Sequence, residues 1–254
     1  MAAKYKFEVA ADEAGLRLDQ VIPRHVAGLS RRKARDVIDT GGVFVDPHLV
    51  IVDKPAGLVT APTPESDRGD LLDRLRGEFG EIYLVHRLDM PTSGLLVFAR
   101  TRDANKALGE RFRVHDIERE YRAVAIGEVA AQTIDRAIDG QRAVTHVAPV
   151  GALAGATLIA ARLETGRTHQ IRIHLAGIGH PIAGDREHGG ETERLWSRAP
   201  GRPRPPRLAL HALRLGFGHP ATGEHVSWEA PVPDELARWI DALALKTPSE
   251  TSTP

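Results

Sequence analysis

Hydrophobic residues along this chain fall into short runs whose period changes several times. Between Leu16 and Ile38 there are two amphipathic patterns: Leu16, Leu18, Val21 and Ile22, then Ala34, Val37 and Ile38 behind a Ser30 suited to cap a helix. They predict two helices, the second stopped by Gly41-Gly42, and Val43-Phe44-Val45 then predicts a strand. From Leu49 the character shifts. Leu49-Val50-Ile51-Val52 predicts a buried strand and Lys54-Pro55-Ala56-Gly57 a turn, which puts a domain boundary near residue 46. Further on, strand-like runs (Gly94 to Ala99, Tyr121 to Ile126, Thr157 to Leu163) alternate with helical stretches (Leu71 to Phe79, Ala104 to Arg113). The order is that of an α+β fold and not of regular βαβ units. Residues 186–207, rich in Gly, Pro and Arg without periodicity, predict a long surface loop. Asp234 to Leu245 predicts a closing helix with Leu236, Trp239, Ile240 and Leu243 on one face, and 246–254 a disordered tail. The expected units are therefore 1–46, 47–245 and the tail.

At 254 residues and 42% hydrophobic content the chain can bury a substantial core. Lys plus Arg and Asp plus Glu both number 34, so net charge alone gives no argument for a nucleic-acid partner. Local charge does: from Arg17 to Arg35 the basic residues Arg17, Arg24, Arg31, Arg32, Lys33 and Arg35 face the single acid Asp19. No apolar h-region follows the first lysines, no run of apolar residues is long enough for a membrane span, and there is no cysteine. A soluble, cytoplasmic protein without disulfides or thiolate metal sites is expected.

Three segments carry candidate chemistry. In Val85-His86-Arg87-Leu88-Asp89-Met90-Pro91-Thr92-Ser93-Gly94-Leu95-Leu96-Val97, charged and turn residues sit between two apolar runs, which predicts a loop at a sheet edge. Taken alone, a surface pair of Arg87 with Asp89 plus turn chemistry accounts for it better, and only the other segments overturn that. Thr165 to Gly177 fits two periods. Ile171, Ile173 and Leu175 alternate as in a strand, whereas Ile171, Leu175 and Ile178 follow a helix, with Thr168 as N-cap and Gly177 as stop. The helix is preferred, and it places Arg172 near a positive helix end that suits an anion. In Arg119-Glu120-Tyr121-Arg122, Tyr121 opens a strand as a packing residue or a surface on which a base can stack.

Other chemistries lack their parts. There is no glycine-rich loop or Asp-Phe-Gly to make a kinase of His86-Arg87-Leu88-Asp89. Only one acid stands in a convincing site, where a glycosidase wants two. None of the 12 histidines forms His-Glu-x-x-His.

In this order, Lys54-Pro55-Ala56-Gly57, the His86 to Gly94 loop, Glu120-Tyr121, Thr165 to His174, Gly179-His180-Pro181 with Gly184-Asp185, Leu210-His211-Ala212, and His219-Pro220 with Ala230-Pro231 resemble the RluA family of pseudouridine synthases. Residues 14–45 also resemble the small α-L RNA-binding domain. The resemblance implies a catalytic domain on a mixed, largely antiparallel sheet with flanking helices, acting on structured RNA as a monomer. Large-subunit ribosomal RNA is expected first and transfer RNA second. A non-catalytic RNA-binding or ribosome-assembly protein is the rival reading.

By the same resemblance Asp89 is the catalytic carboxylate, Tyr121 the active-site tyrosine and Arg172 the basic residue that pairs with the aspartate. Arg87 enters the RNA stack, and Arg167, His169 and Gln170 join Arg31, Arg32 and Lys33 among the RNA contacts. Pseudouridine formation moves uracil from a nitrogen to a carbon linkage, which calls for no redox equivalent or phosphoryl energy, so neither cofactor nor metal is expected. A stacked uridine must be flipped out, at about a few kcal/mol. A cation within about 4–6 Å keeps a buried carboxylate ionised, the role expected of Arg172. Two features depart from the family. The chain passes from Asp46 almost directly to Leu49, so the small domain is expected to be truncated, and His188 stands where an aromatic usually follows the Gly-Asp step.

Overall fold

The computed structural model describes residues 43–62 and 70–244. Arg31, Arg32 and Lys33, the stretch for which two N-terminal helices are predicted, and residues 246–254 lie outside the described residues. The strands are β1 (Val43–Val45), β2 (Leu49–Lys54), β3 (Tyr83–Leu84), β4 (Ser93–Ala99), β5 (Glu118–Ile126), β6 (Gln132–Asp135), β7 (Val144–Leu153), β8 (Ala156–Leu163), β9 (Leu210–Gly218) and β10 (His225–Glu229). The helices are α1 (Leu71–Phe79), α2 (Arg102–Arg113), α3 (Gln170–Gly177), α4 (Gly190–Ser197) and α5 (Asp234–Ala244).

The strands form one mixed sheet in the order β1-β2-β4-β9-β5-β8-β7-β6, with β3 added to β4 and β10 to β9. All pairings are antiparallel except β4 with β9, which meet in parallel where Ser93 and Gly94 face His211 and Ala212. This is the expected α+β architecture, largely antiparallel. The strand Val43–Val45, grouped by its sequence with the N-terminal unit, pairs here with β2. Gly94 marks the parallel contact: its φ is 113°, and a Cβ there would lie 2.3 Å from the Ala212 carbonyl oxygen. Any other residue would push the two strands apart.

Two apolar layers cover this sheet. Val50, Val52, Leu96 and Phe98 pack toward Leu71, Leu72 and Leu75 of α1, in a cluster that also takes in Ile171 and Leu175 of α3 and Leu236 and Trp239 of α5. Leu49, Ile51, Leu95 and Val97 lie in the opposite layer with Ala104 and Leu108 of α2. Burial on both faces explains why β2 and β4 read as unbroken apolar runs instead of alternating ones. Asp70 and Thr101 cap α1 and α2 by accepting the backbone N–H of Asp73 and Ala104.

Two local expectations are corrected. The predicted loop over 186–207 contains helix α4, whose Trp196 is buried and donates its indole N–H to the Gly155 carbonyl at 2.7 Å. One anchoring aromatic is too little to give eight residues a readable period. Helix α3 exists, but it begins at Gln170 behind His169 and not behind Thr168. His169 takes a left-handed conformation, φ 54°, and makes no side-chain cap. The Gln170 side-chain amide oxygen accepts the Arg167 N–H in the turn ahead of the helix, and the Gln170 N–H donates to the Arg167 carbonyl.

Candidate active site

The loop ahead of β4 is tied down on both sides of Asp89. The buried hydroxyl of Thr60 donates to the Leu88 carbonyl at 2.8 Å, and the Gly57 N–H donates to the Met90 carbonyl at 2.7 Å. Lys54 is wholly buried. Its ammonium donates to the carbonyls of Pro55 and Leu58 at 2.9 Å and to that of Met90 at 3.3 Å. Burial pushes that ammonium down to about 7; the charges of Asp89 and Asp53 oppose the fall, and Arg207 adds to it. The Thr92 N–H closes the turn onto the Asp89 carbonyl at 3.0 Å. The Arg87–Asp89 pair that the segment alone allowed does not form among the described contacts, because Asp89 turns elsewhere.

It turns to Arg172. In the first turn of α3, the buried guanidinium donates one Nη1 hydrogen bond to Asp89 Oδ2 at 3.3 Å. Its Nε and Nη2 form a two-pronged pair with buried Asp185, both at 2.8 Å, and Nη2 also reaches Glu187 Oε2 at 2.9 Å. Burial works against this charge, but the hydrogen bonds to Asp185 and Glu187, with the nearby charge of Asp89, outweigh it and hold the guanidinium protonated. Asp185 is fixed in turn by the N–H groups of Glu187 and His188, which donate to its Oδ1 at 3.1 and 3.0 Å. Gly184 makes room for the turn, since a Cβ there would stand 2.2 Å from the Arg207 carbonyl oxygen.

Asp89 stands between two clefts. One, of about 550 Å³, is lined by His86, Arg87, Arg119, Tyr121 and His169 among others. The second, of about 610 Å³, runs past Thr60, Arg172, Arg186 and Arg207. Tyr121 follows a register shift between the central strands β5 and β9 at Glu120/Tyr121, the kind of irregularity that re-aims a side chain next to a site. Burial raises its phenol above the usual range, Arg119 opposes and Asp89 adds to the rise. Tyr121 is therefore a neutral hydroxyl on the wall facing the carboxylate. Arg119 is buried too, lies over the Phe112 ring and has no partner for its Nε among the described residues. His86 is not an acid or base here. Burial and Arg119 push its imidazole down to about 3, and its Nε2 accepts the Val97 N–H at 3.1 Å.

The remaining expected site residues divide. Arg87 is exposed and reaches both clefts. Arg167 lines the first and donates its Nε to the Arg142 carbonyl. His169 faces Asp89, its Nε2 being 3.6 Å from Oδ1. Gln170, expected to touch RNA, is buried with its amide committed to protein. It accepts from the Thr165 hydroxyl and the Arg167 N–H, and donates to the Val144 carbonyl and the Thr145 hydroxyl. The geometry makes it a clamp between α3 and β7. Lys54 and Asp185 stand in the segments that carry the resemblance but receive no role in the site from sequence, and Glu187 is not named. The spacing of Asp185 from Arg172 carries no signal that the two meet.

Residues 48–177 match the family described as RNA pseudouridylate synthase, a span holding Asp89, Tyr121 and Arg172. The chain belongs to the RluA family of RNA pseudouridylate synthases. Among curated members it is 37% identical over 233 residues to a ribosomal large subunit pseudouridine synthase D of Nitrosomonas europaea, covering 84% of this chain and 67% of that one. It is 38% identical over 229 residues to the protein of the same name in Xanthomonas campestris, covering 79% and 68%. The chain thus matches about two thirds of the length of these synthases. In fold it is similar to human RNA pseudouridylate synthase domain containing 4, with a TM-score of 0.67 and 24% identity over 81% of this chain and 94% of that one. Human RNA pseudouridylate synthase domain containing 1 gives 0.63 and 25%, covering 80% and 86%. Among the described residues of this synthase no helix is long and apolar enough to cross a membrane.

Proposed function

We propose that this synthase isomerises uridine in large-subunit ribosomal RNA, with Asp89 as the catalytic carboxylate. The observation that carries the assignment is the 3.3 Å contact of Arg172 with Asp89, on a loop pinned from both sides and opening on the same cleft as Tyr121. The substrate follows the printed names of the curated relatives.

The reaction breaks the bond from uracil N1 to the ribose, turns the base, joins carbon 5 to the ribose and moves one proton from carbon 5 to N1. Nothing is oxidised or reduced. Asp89 acts on the flipped nucleotide, either as the nucleophile that holds one fragment or as the base that takes a ribose proton. Arg172 keeps one carboxylate oxygen aimed and charged. Tyr121 provides the surface on which uracil turns, and its hydroxyl takes part in removing the carbon-5 proton. Arg87, exposed beside Asp89, fills the gap left in the RNA stack. Arg167 and His169 contact the strand at the rim, while Gln170 acts by holding α3 in place. Arg31, Arg32 and Lys33 of a small N-terminal RNA-binding unit add phosphate contacts. The protein works as a monomer in the cytoplasm.

Incubating the full chain with large-subunit ribosomal RNA and, separately, transfer RNA, then quantifying pseudouridine, tests the reading. Product in ribosomal RNA alone is expected. Product in transfer RNA alone overturns the substrate, and no product on either favours the RNA-binding rival. Replacing Arg31, Arg32 and Lys33 together by alanine should weaken RNA binding and flatten its salt dependence by about three phosphate contacts. Unchanged affinity removes them from the interface.

A further inference from the structure

The turn that fixes Arg172 also brings a second histidine, His188, against His169, which lines both clefts. His169 Nδ1 and His188 Nε2 are 2.9 Å apart, and Glu187 Oε1 lies 3.3 Å from the first and 3.6 Å from the second. The same three atoms define all three distances. A four-coordinate zinc ion with bonds of about 2.0–2.2 Å needs donor atoms about 3.3–3.5 Å apart, so this triangle is close to one face of its tetrahedron. Two imidazoles and a carboxylate are a donor set that such an ion takes, with the fourth position left to solvent.

The surroundings fit as well. Glu187 gives its other oxygen, Oε2, to Arg172 and leaves Oε1 toward the histidines. The second nitrogen of His169 faces the Asp89 carboxylate, the outer partner that orients many metal-bound histidines. Asp185 holds the backbone of Glu187 and His188 in place before any ion arrives. His169 itself sits at φ 54°, a left-handed conformation that is strained for a non-glycine residue and persists only where the surroundings impose it.

We propose that His169, Glu187 and His188 form a site for a late divalent transition metal, zinc being the occupant that the donors fit, and that an ion there shuts the uridine cleft. The first half stands on the triangle alone; the second rests on the reading of Asp89 as the catalytic carboxylate. The isomerisation has no use for the metal. A bound ion ties His169, brings positive charge beside Asp89 and closes the rim through which the nucleotide enters.

The test uses the full chain stripped with a chelator and titrated with zinc against a chromophoric competitor, without RNA. One equivalent is expected to bind, and cobalt(II) should give the visible absorption of a four-coordinate ion. His188→Phe and Glu187→Gln should each weaken binding by more than the about 10–100-fold that loss of an outer partner costs. No bound zinc, or equal binding in wild type and both variants, overturns the site. With ribosomal RNA present, saturating zinc should suppress pseudouridine formation by the wild type and spare His188→Phe, whose activity without zinc should match wild type. Full wild-type turnover at saturating zinc overturns the blocking role. A chain that binds zinc as expected but never makes pseudouridine refutes the proposed function and leaves the metal site standing.

Discussion

Two buried cations hold the Asp89 loop, and they are held in different ways. On one side Arg172 meets carboxylates at each of three nitrogens, from Asp185, Glu187 and Asp89. On the other Lys54 meets, among the described residues, only the carbonyls of Pro55, Leu58 and Met90. The first stays charged in spite of burial; the second is driven down to about 7. Dipoles alone do not offset the loss of water around a buried charge, whereas a paired and hydrogen-bonded carboxylate does. The Arg172 side can therefore deliver a permanent positive charge to Asp89, and the Lys54 side fixes backbone.

Removing the arginine should break this contrast most severely. Arg172→Met leaves Asp185 buried and uncompensated, and should lower stability by about 3–5 kcal/mol in urea unfolding. Arg172→Lys should recover part of the stability without the two-pronged pair, and little of the turnover. A Met variant as stable as wild type would show that Asp185 is not held as a charge.

Lys54→Met should cost less, about 1–3 kcal/mol, through carbonyls left without a donor. It also has a pH signature. Since the folded pKa is about 7 and the ordinary value 10.5, the unfolded chain binds the extra proton between them. Stability should then rise with pH from about 7 to about 10.5 in the wild type, with the penalty present in full below that range. The rise should vanish in Lys54→Met. An identical slope in both proteins would assign it to other groups.

Glu187→Gln should have the smallest effect. Its side chain is 58% exposed, against 1% for Asp185, and it should change stability by under about 1 kcal/mol. A loss as large as that from Arg172→Met would mean that the exposed carboxylate, and not Asp185, holds the arginine.

Much of this was legible in the sequence because local order and burial agree there. Leu49 to Lys54 and Ser93 to Ala99 are buried on both faces, so their unbroken apolar runs announced strands. The polar centre from His86 to Thr92 stood out against the apolar runs around it. Long-range polar pairing left no such mark. Asp185 meets Arg172, and Glu187 and His188 meet His169, only because the turn after β-bridge residue Ile182 folds back on α3. Strands β6 and β7 went unread for another reason: four of the ten residues of β7 are exposed, and Pro149 and Gly151 interrupt it at a register shift. Helix α4 was hidden among glycines and prolines for want of an apolar stripe.

On the proposed mechanism Asp89 does chemistry and does not merely accept a hydrogen bond from Arg172. Asp89→Asn keeps the shape and an acceptor while removing the charge, so single-turnover conversion of large-subunit ribosomal RNA by this variant is the direct measurement. Pseudouridine formation is expected to fall by about a thousandfold or more, with RNA affinity and the urea midpoint close to wild type. Conversion within about tenfold of wild type would contradict the account, since loss of a catalytic carboxylate costs far more.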